Sequence, residues 1–270
     1  MCRWIMYHGN KVLMSDVLVD PENSLIHQSI KSSLGVFPVN GDGFGLGLGW
    51  YSDLHSEPGL FKDPLPAWNN KNLISLAQHI KSKNFMAHVR AGTGAPKSNV
   101  NCHPFRFENK IFMHNGSIGY FDDIRCELER LIDKKYFRSR YGSTDSEAFF
   151  LLAMTNGLDK HPKKAMLKTV EQIFAIQTKN GLDEKLKASV AYSDGTTSTA
   201  IKISTIKDQP SLYYICYNDL LESFGIKQQS KFNNSFIVLS EPVTQSDLYR
   251  KIENYSSITI TEKEFKLSSI

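Results

Sequence analysis

The sequence has 270 residues, of which 41% are hydrophobic and 22% are charged, so it can bury a full core and is not mainly disordered. Its net charge is only +4, from 32 basic and 28 acidic residues that are scattered along the chain, which argues against a nucleic-acid-binding protein. No run approaches the roughly 20 apolar residues that span a membrane, and a secretory signal pattern is absent. Four cysteines without a C-x-x-C pair favour a reducing, cytoplasmic environment.

The first part of the chain is predicted to contain mostly strands. Strands are predicted over residues 3–8, 44–52, 85–90 and 110–114, and a helix over residues 69–81. Glycine occupies every other position from Gly41 to Gly49, which leaves one strand face without side chains and permits close approach of another backbone. A phosphate-binding loop is the alternative, but its G-x-G-x-x-G and G-K-[ST] patterns are absent. Asn115 and Gly116 follow the last of these strands and give a strong turn signal.

The second part of the chain is predicted to contain helices and then strands. Helices are predicted over residues 122–133, 144–156 and 162–179, and strands over residues 188–192, 200–204, 212–217, 236–239 and 257–261. Residues 143–147 offer capping side chains at the start of the second helix. No repeat or low-complexity linker interrupts this order, which predicts one α+β domain with helices stacked on sheets.

Cys2 is a candidate nucleophile because an initiator methionine is commonly removed when the next residue is small. Removal of Met1 would leave Cys2 with a free α-amine, whose reference pKa of about 7.7–8.0 lies near the value of about 8.5 for a thiol. The amine could then accept the thiol proton and later return it to a leaving group. The alternative is a small residue at the end of a buried strand, and Cys2 by itself favours that alternative.

Four other residues carry functional groups that could serve acyl transfer. Asn115 and Gly116 could supply an amide side chain and a backbone N–H to an oxyanion, although a plain hairpin turn is the alternative. Arg90 ends a buried strand, where a guanidinium needs a carboxylate from a neighbour or from a ligand. Asp145 lies at a predicted helix start, where capping explains it adequately.

Several histidines suggest a metal site as a further alternative. His88, His103 and His114, with Cys102, have side chains that zinc accepts as ligands. Their spacing matches neither a zinc finger nor H-E-x-x-H, and His88 and His114 each lie on an apolar strand. Hydrogen-bonded structural histidines are therefore the favoured interpretation.

Taken together, these segments resemble the class II glutamine amidotransferases, which are N-terminal-nucleophile hydrolases with an N-terminal cysteine. The matching segments are residues 1–3 with Tyr7 and Gly9, and residues 42–45, 49–51, 87–93, 101–105, 112–116, 142–147 and 240–242. They cover nearly the whole chain in the expected order. The sequence is most similar to the stand-alone branch that contains the ergothioneine-pathway γ-glutamyl amidohydrolase and the glutaminase-like subunit of a fungal glutathione-degrading complex.

The resemblance implies a fold and a set of site residues. The fold would be a four-layer α/β/β/α sandwich with two mostly antiparallel sheets, formed as one glutaminase-type domain over residues 2–270. Cys2 would be the nucleophile and its α-amine the general acid and base. The remaining implied residues are Asn115 and Gly116 for the oxyanion hole, Arg90 for the substrate α-carboxylate, Asp145 for its α-ammonium, and Thr93 in the loop that lines the glutamyl pocket. No metal or cofactor is implied.

The expected reaction is hydrolysis of a γ-glutamyl amide, either glutamine or a γ-glutamyl metabolite, through a γ-glutamyl thioester. Because no segment is left for a synthetase, one alternative is a glutaminase subunit that delivers ammonia to a separate synthetase partner. A peptidase-like subunit is the other protein partner considered possible. A catalytically silent glutamine-binding subunit is a third hypothesis, which retention of Met1 would favour. In each case the expected ligand is a small γ-glutamyl molecule, with no nucleic acid and no membrane.

Overall fold

Fifteen strands and eight α-helices form in the described part of the computed structural model, which comprises residues 2–32, 39–40, 43–91, 95–207 and 209–270. The strands are β1 (Arg3–Leu13), β2 (Lys31–Ser32), β3 (Val39–Asn40), β4 (Gly43–Trp50), β5 (Gly59–Asp63), β6 (Lys81–Ala91), β7 (Phe105–Phe107), β8 (Lys110–Ile118), β9 (Leu186–Ser193), β10 (Thr197–Ser204), β11 (Tyr213–Cys216), β12 (Phe236–Leu239), β13 (Arg250–Lys251), β14 (Ser256–Thr261) and β15 (Phe265–Ser269). The helices are α1 (Ser15–Leu18), α2 (Leu25–Gln28), α3 (Lys71–His79), α4 (Phe121–Arg130), α5 (Lys134–Phe137), α6 (Asp145–Thr155), α7 (Pro162–Lys179) and α8 (Tyr217–Ser223).

The longer strands pair into two antiparallel sheets. The first sheet has the order β13-β11-β12-β1-β6-β4-β5, so β1 lies at its centre between β12 and β6. The second sheet has the order β15-β14-β10-β9-β8-β7. β2 and β3 form a separate short pair. β8 and β9 are adjacent in space although four helices, α4 to α7, separate them along the chain, which places those helices together on one side of their sheet.

Three apolar clusters fill the spaces between four layers. Residues of β1 show the alternation, because Ile5 and Tyr7 pack under α1, α3 and α8, whereas Trp4 and Met6 pack between the two sheets. On the far side of the second sheet, α4, α6 and α7 bury a third cluster that includes Phe149. This arrangement is the α/β/β/α sandwich that the resemblance implied, and that prediction is confirmed.

The glycine stripe of β4 is a packing surface for another backbone, as predicted. A Cβ built on Gly47 would lie 1.6 Å from the carbonyl oxygen of His103, and one on Gly49 would lie 2.9 Å from Pro104. Gly45 has a φ of +89° and faces the thiol of Cys102 in the same way. The bare face of β4 therefore holds residues 102–104 directly against the first sheet.

Several element boundaries differ from the predictions for local reasons. The helix predicted over residues 69–81 is shorter, because the Asn70 side chain caps it by accepting from Leu73 N and Lys81 already begins β6. The strand predicted over residues 212–217 ends at Cys216, where α8 begins. The short edge strands β5 and β15 were not predicted. No helix within the described ranges is long and apolar enough to cross a membrane.

The turn predicted at Asn115 and Gly116 is wrong. Both residues continue β8 to Ile118 and pair with Ser189 and Ala188 of β9. Cross-strand pairing therefore overrides the local turn preference of Asn-Gly.

Candidate active site

Cys2 lies at the start of the central strand β1, and a buried polar cluster holds this end of the strand in place. The guanidinium of Arg3 donates from Nε to Glu241 Oε2 at 2.9 Å and from Nη2 to Ser32 Oγ at 2.7 Å. Trp4 N donates to Ser240 Oγ at 3.1 Å. Burial alone would raise the pKa of Glu241, but hydrogen bonds from Ser32 and Arg3 outweigh it and lower that pKa. The Arg3–Glu241 ion pair therefore holds the backbone next to Cys2 in a fixed position.

Cys2 opens into a cleft of about 620 Å³ between the ends of the two sheets. The cleft brings together four of the predicted site residues: Cys2, Arg90, Gly116 and Asp145. Asn115, which precedes Gly116, is only 1% exposed. Thr93 lies outside the described residues, as does Met1. We refer to this space as the Cys2 cleft.

Arg90 is a buried cation in this cleft. Arg90 is the last residue but one of β6, and it is 6% exposed. Its guanidinium donates to the carbonyl oxygens of Ala95 at 3.2 Å and Pro96 at 3.4 Å. Within the described ranges no carboxylate forms an ion pair with it. Because a buried guanidinium is expensive to keep without a counter-ion, Arg90 is suited to bind an anion that enters the cleft.

Asp145 supplies a negative charge to the Cys2 cleft, opposite in sign to Arg90, and it lies next to β8 of the second sheet. It is the first residue of α6, and Thr144 rather than Asp145 caps that helix by accepting from Glu147 N at 3.2 Å. The Asp145 carboxylate accepts from Ile118 N at 2.9 Å and Ser146 N at 2.7 Å. A carboxylate has about four acceptor sites, so these bonds orient it and leave capacity for a cationic group.

The pair Asn115 and Gly116 lies on β8 beside this carboxylate. A Cβ on Gly116 would lie 1.9 Å from the carbonyl oxygen of Lys187, so only glycine fits there. The Oδ1 of Asn115 has no hydrogen-bond partner in the described part of the chain. An extended strand therefore carries both residues of the predicted oxyanion hole, without the turn that was expected to carry them; Gly116 lines the Cys2 cleft, whereas Asn115 is buried behind it.

Asn101 ties the loops of Arg90 and Asp145 together, and Glu147 holds the segment that precedes Asp145; the sequence did not predict either role. Asn101 donates to Pro96 O at 3.0 Å and accepts from Ser143 N at 2.9 Å, which links the two loops directly. Glu147 accepts from Arg140 at 2.6 Å and from Gly142 N at 2.7 Å. Both residues lie in segments that resemble the family, and this resemblance was the only signal in the sequence that pointed to them.

The three histidines divide into two environments. His114 is hydrogen-bonded as predicted, since Nδ1 lies 2.9 Å from Ser146 Oγ and Nε2 lies 3.0 Å from Lys187 O. His88 and His103 instead stack, with ring centroids 4.1 Å apart, and neither ring nitrogen of His103 has a partner among the described residues. Burial lowers the pKa of His88 to about 3 and also lowers the pKa of His103, so both rings are neutral near pH 7.

The alternative role of the three histidines and Cys102 was metal ligation. The described ranges contain no group of three His, Cys, Asp or Glu side chains that could hold a metal ion. All four cysteines are free thiols.

Comparison with known proteins identifies relatives over most of the chain. The family described as glutamine amidotransferases class-II matches residues 15–256. The whole chain aligns with 84% of the probable glutamine amidotransferase DUG3 of Saccharomyces cerevisiae, at 34% identity over 305 residues. The γ-glutamyl-hercynylcysteine sulfoxide hydrolase of Mycobacterium tuberculosis is 30% identical over 122 residues, which are 44% of this chain and 50% of that protein.

A solved structure supports the same grouping. The glutamine aminotransferase class-II domain protein from Silicibacter pomeroyi superposes with a TM-score of 0.74 at 28% identity and covers 99% of both chains. The sandwich of two antiparallel sheets is therefore shared over the full length of the two proteins.

Proposed function

The chain belongs to the class II glutamine amidotransferases and is an amide-hydrolysing enzyme, and from this premise we propose that it cleaves the γ-amide bond of a γ-glutamyl compound with Cys2 as nucleophile. The proposal treats residues 2–270 as one glutaminase-type domain and requires removal of Met1, so that Cys2 carries a free α-amine.

One observation carries the proposal. The Cys2 cleft holds a buried guanidinium, Arg90, that lacks a carboxylate partner in the described part of the chain, and it also holds the Asp145 carboxylate. A glutamyl head is a zwitterion with one carboxylate and one ammonium group on the same carbon. One cation and one anion in a single cleft can bind such a head and direct its γ-carbonyl toward the Cys2 thiol.

The reaction then follows from the groups present. The α-amine takes the thiol proton, and the thiolate attacks the γ-carbonyl carbon to form a tetrahedral intermediate. The Asn115 side-chain amide and the Gly116 N–H stabilise its oxyanion. The intermediate expels the amine, which takes the proton from the α-ammonium, and leaves a γ-glutamyl thioester. Water deprotonated by the α-amine hydrolyses this thioester to glutamate and restores the thiol.

The substrate is a γ-glutamyl metabolite in the favoured form of the proposal. One relative in the comparison is named as a hydrolase of a γ-glutamyl compound, and it supports this choice over half of its own length. The other relative is named a probable glutamine amidotransferase, which supports a second candidate. In that candidate a separate synthetase subunit receives ammonia released from glutamine.

Turnover by the isolated chain separates the two candidates and tests the nucleophile. We expect fast release of glutamate from at least one γ-glutamyl amide other than glutamine, whereas the second candidate predicts slow hydrolysis of glutamine until a partner is added. A Cys2→Ala variant should lose at least about 1000-fold in kcat. Cys126→Ser is the matched control, because Cys126 is an exposed cysteine on α4 and its loss should leave turnover unchanged. A Cys2→Ala protein that retains turnover would exclude Cys2 as the nucleophile.

A further inference from the structure

A second cleft lies at the opposite end of the sandwich from Cys2. We call it the distal cleft; it has a volume of about 490 Å³ and is lined by residues that include His8, Tyr51, Lys83, Asn84, Lys231 and Glu262. His8 lies on β1, six residues after Cys2, which directly precedes that strand, so extended backbone separates them by about 20 Å. The apolar side chains of Trp4 and Met6 fill the space between. The distal cleft is therefore a separate space from the Cys2 cleft.

A buried polar network forms the floor of the distal cleft. The Nδ2 of Asn84 donates to Ser193 Oγ at 2.7 Å and to Ser198 Oγ at 3.0 Å, and His8 Nδ1 lies 2.8 Å from Ser198 Oγ. The network joins β1 and β6 of one sheet to β9 and β10 of the other. A cluster of apolar side chains occupies the layer between the sheets next to this network. These hydrogen bonds hold the side chains of the network in fixed positions, so the floor is preorganised.

This floor retains unused hydrogen-bonding capacity. The Oδ1 of Asn84, a residue that is 1% exposed, has no partner among the described residues. The Nε2 of His8 likewise makes no hydrogen bond within the described ranges, whereas its Nδ1 is engaged. Asn84 Oδ1 is shielded from solvent, so His8 Nε2 is the atom of the floor that can form a hydrogen bond with a polar group of a ligand.

The charges at the walls define the rest of the ligand. In the described part of the chain neither Lys83 nor Lys231 pairs with a carboxylate, and Glu262 pairs with no cation. The other carboxylate of the cleft, Asp53, is already paired with Lys11 at 2.5 Å. The imidazole of His8 adds no charge near pH 7, because burial lowers its pKa to about 4. Two cations and one free carboxylate therefore face a neutral polar floor.

We propose that the distal cleft binds a zwitterionic amino acid. Lys83 and Lys231 hold its carboxylate, and Glu262 holds its ammonium group. The choice of glutamate as the probe rests on the proposed function, because glutamate is the product of that reaction and carries both groups. An amino acid bound here contacts both sheets at the end of β1 opposite the nucleophile.

Calorimetric titration of L-glutamate into protein whose Cys2 has first reacted with 6-diazo-5-oxo-norleucine tests the distal cleft, because the Cys2 cleft is then occupied. We expect one saturable site per chain. The variant Lys83→Ala/Lys231→Ala should bind about tenfold more weakly. Lys168→Ala is the matched control, since it removes an exposed lysine of α7 in another layer and should bind like the wild type.

Glutarate and inorganic phosphate are the comparison probes. Glutarate lacks the ammonium group and should bind more weakly than glutamate. No saturable binding, equal binding by the double variant, or binding of glutarate or phosphate as tight as that of glutamate would overturn the proposal. If the electrophile does not react with Cys2, the proposed function fails, but the effect of the two lysine substitutions on glutamate binding still tests the distal cleft.

Discussion

Arg90 and Asp145 illustrate what single residues reveal before a structure is known. The sequence already indicated that the guanidinium of Arg90, at the end of a predicted buried strand, needs a carboxylate. The structure places this guanidinium in the Cys2 cleft. The roles of Asn101 and Glu241 could not be predicted in this way. Asn101 reaches Ser143 and Glu241 reaches Arg3, and no local pattern identifies a partner 42 or 238 positions away.

Replacing Arg90 tests the zwitterion-binding site at the residue scale. Arg90→Met should lower kcat/KM for a γ-glutamyl amide on the order of 100-fold, mainly through KM, because the substrate carboxylate loses its buried charged partner. Steady-state kinetics on variants with unchanged melting temperatures would measure this.

Arg125→Met is the matched control for that experiment. Arg125 also lines the Cys2 cleft, but its Nε is paired with Glu129 at 2.9 Å. We expect its kcat/KM to stay within about threefold of the wild type. Equal losses in the two variants would argue against a specific role for Arg90.

At the scale of elements, periodicity predicted the type of most segments, and tertiary contacts set their ends. The helix over residues 162–179 has the predicted bounds, since Pro162 can begin a helix and Asn180 follows its end. Asn115 and Gly116 were predicted as a turn because that dipeptide signal is local, whereas pairing with β9 is not. The glycine stripe predicted close backbone approach, but only the structure identifies residues 102–104 as the segment that approaches.

The glycine stripe supports a stability prediction at this scale. Gly47→Ala should destabilise the protein by about 3 kcal/mol, because the new Cβ would lie 1.6 Å from the His103 carbonyl oxygen and force the two backbones apart. Denaturant unfolding would measure the change. In Gly181→Ala the φ of +70° strains the backbone, but the Cβ meets nothing within 4 Å among the described residues, so we expect only about 1 kcal/mol. Equal losses would refute the packing explanation.

For the whole molecule, the order of strands and helices predicted an α+β chain, while the four layers came from the family resemblance. Composition cannot specify which sheet faces which, because that depends on pairing between distant strands. The Arg3–Glu241 pair is one such connection, since it joins the first strand to a segment near the other end of the chain. Its side chains are 3% and 0% exposed, so the folded state depends on both charges.

Glu241→Gln should therefore destabilise the protein by about 3 kcal/mol at pH 7, because Arg3 is left as a buried charge without its counter-ion. Glu57→Gln breaks an exposed pair with Arg106 and should change stability by less than about 1 kcal/mol. Guanidinium unfolding of both variants and the wild type would measure these changes. A difference of less than about 1 kcal/mol between the variants would contradict the importance of the buried pair.

The same pair predicts how stability depends on pH. The pKa of Glu241 is lower in the folded protein than in the unfolded chain, so its contribution is present above the ordinary glutamate pKa and is lost as pH falls through the lowered value. Wild-type stability should accordingly decline more steeply than that of Glu241→Gln below about pH 4.5. Parallel unfolding curves at pH 7 and pH 4 would reveal it, and equal slopes would exclude the effect.

The central claim is that Cys2 carries a free α-amine and acts as the nucleophile toward a bound γ-glutamyl substrate. Intact mass spectrometry before and after exposure to 6-diazo-5-oxo-norleucine, a glutamine-like electrophile, tests it most directly. We predict a chain that lacks Met1 and gains one adduct, which peptide mapping places on Cys2. A chain without Met1 that gains no adduct, or an adduct on another cysteine, would contradict the claim. A chain that retains Met1 and is not labelled even after that residue is removed would instead favour a silent glutamine-binding subunit.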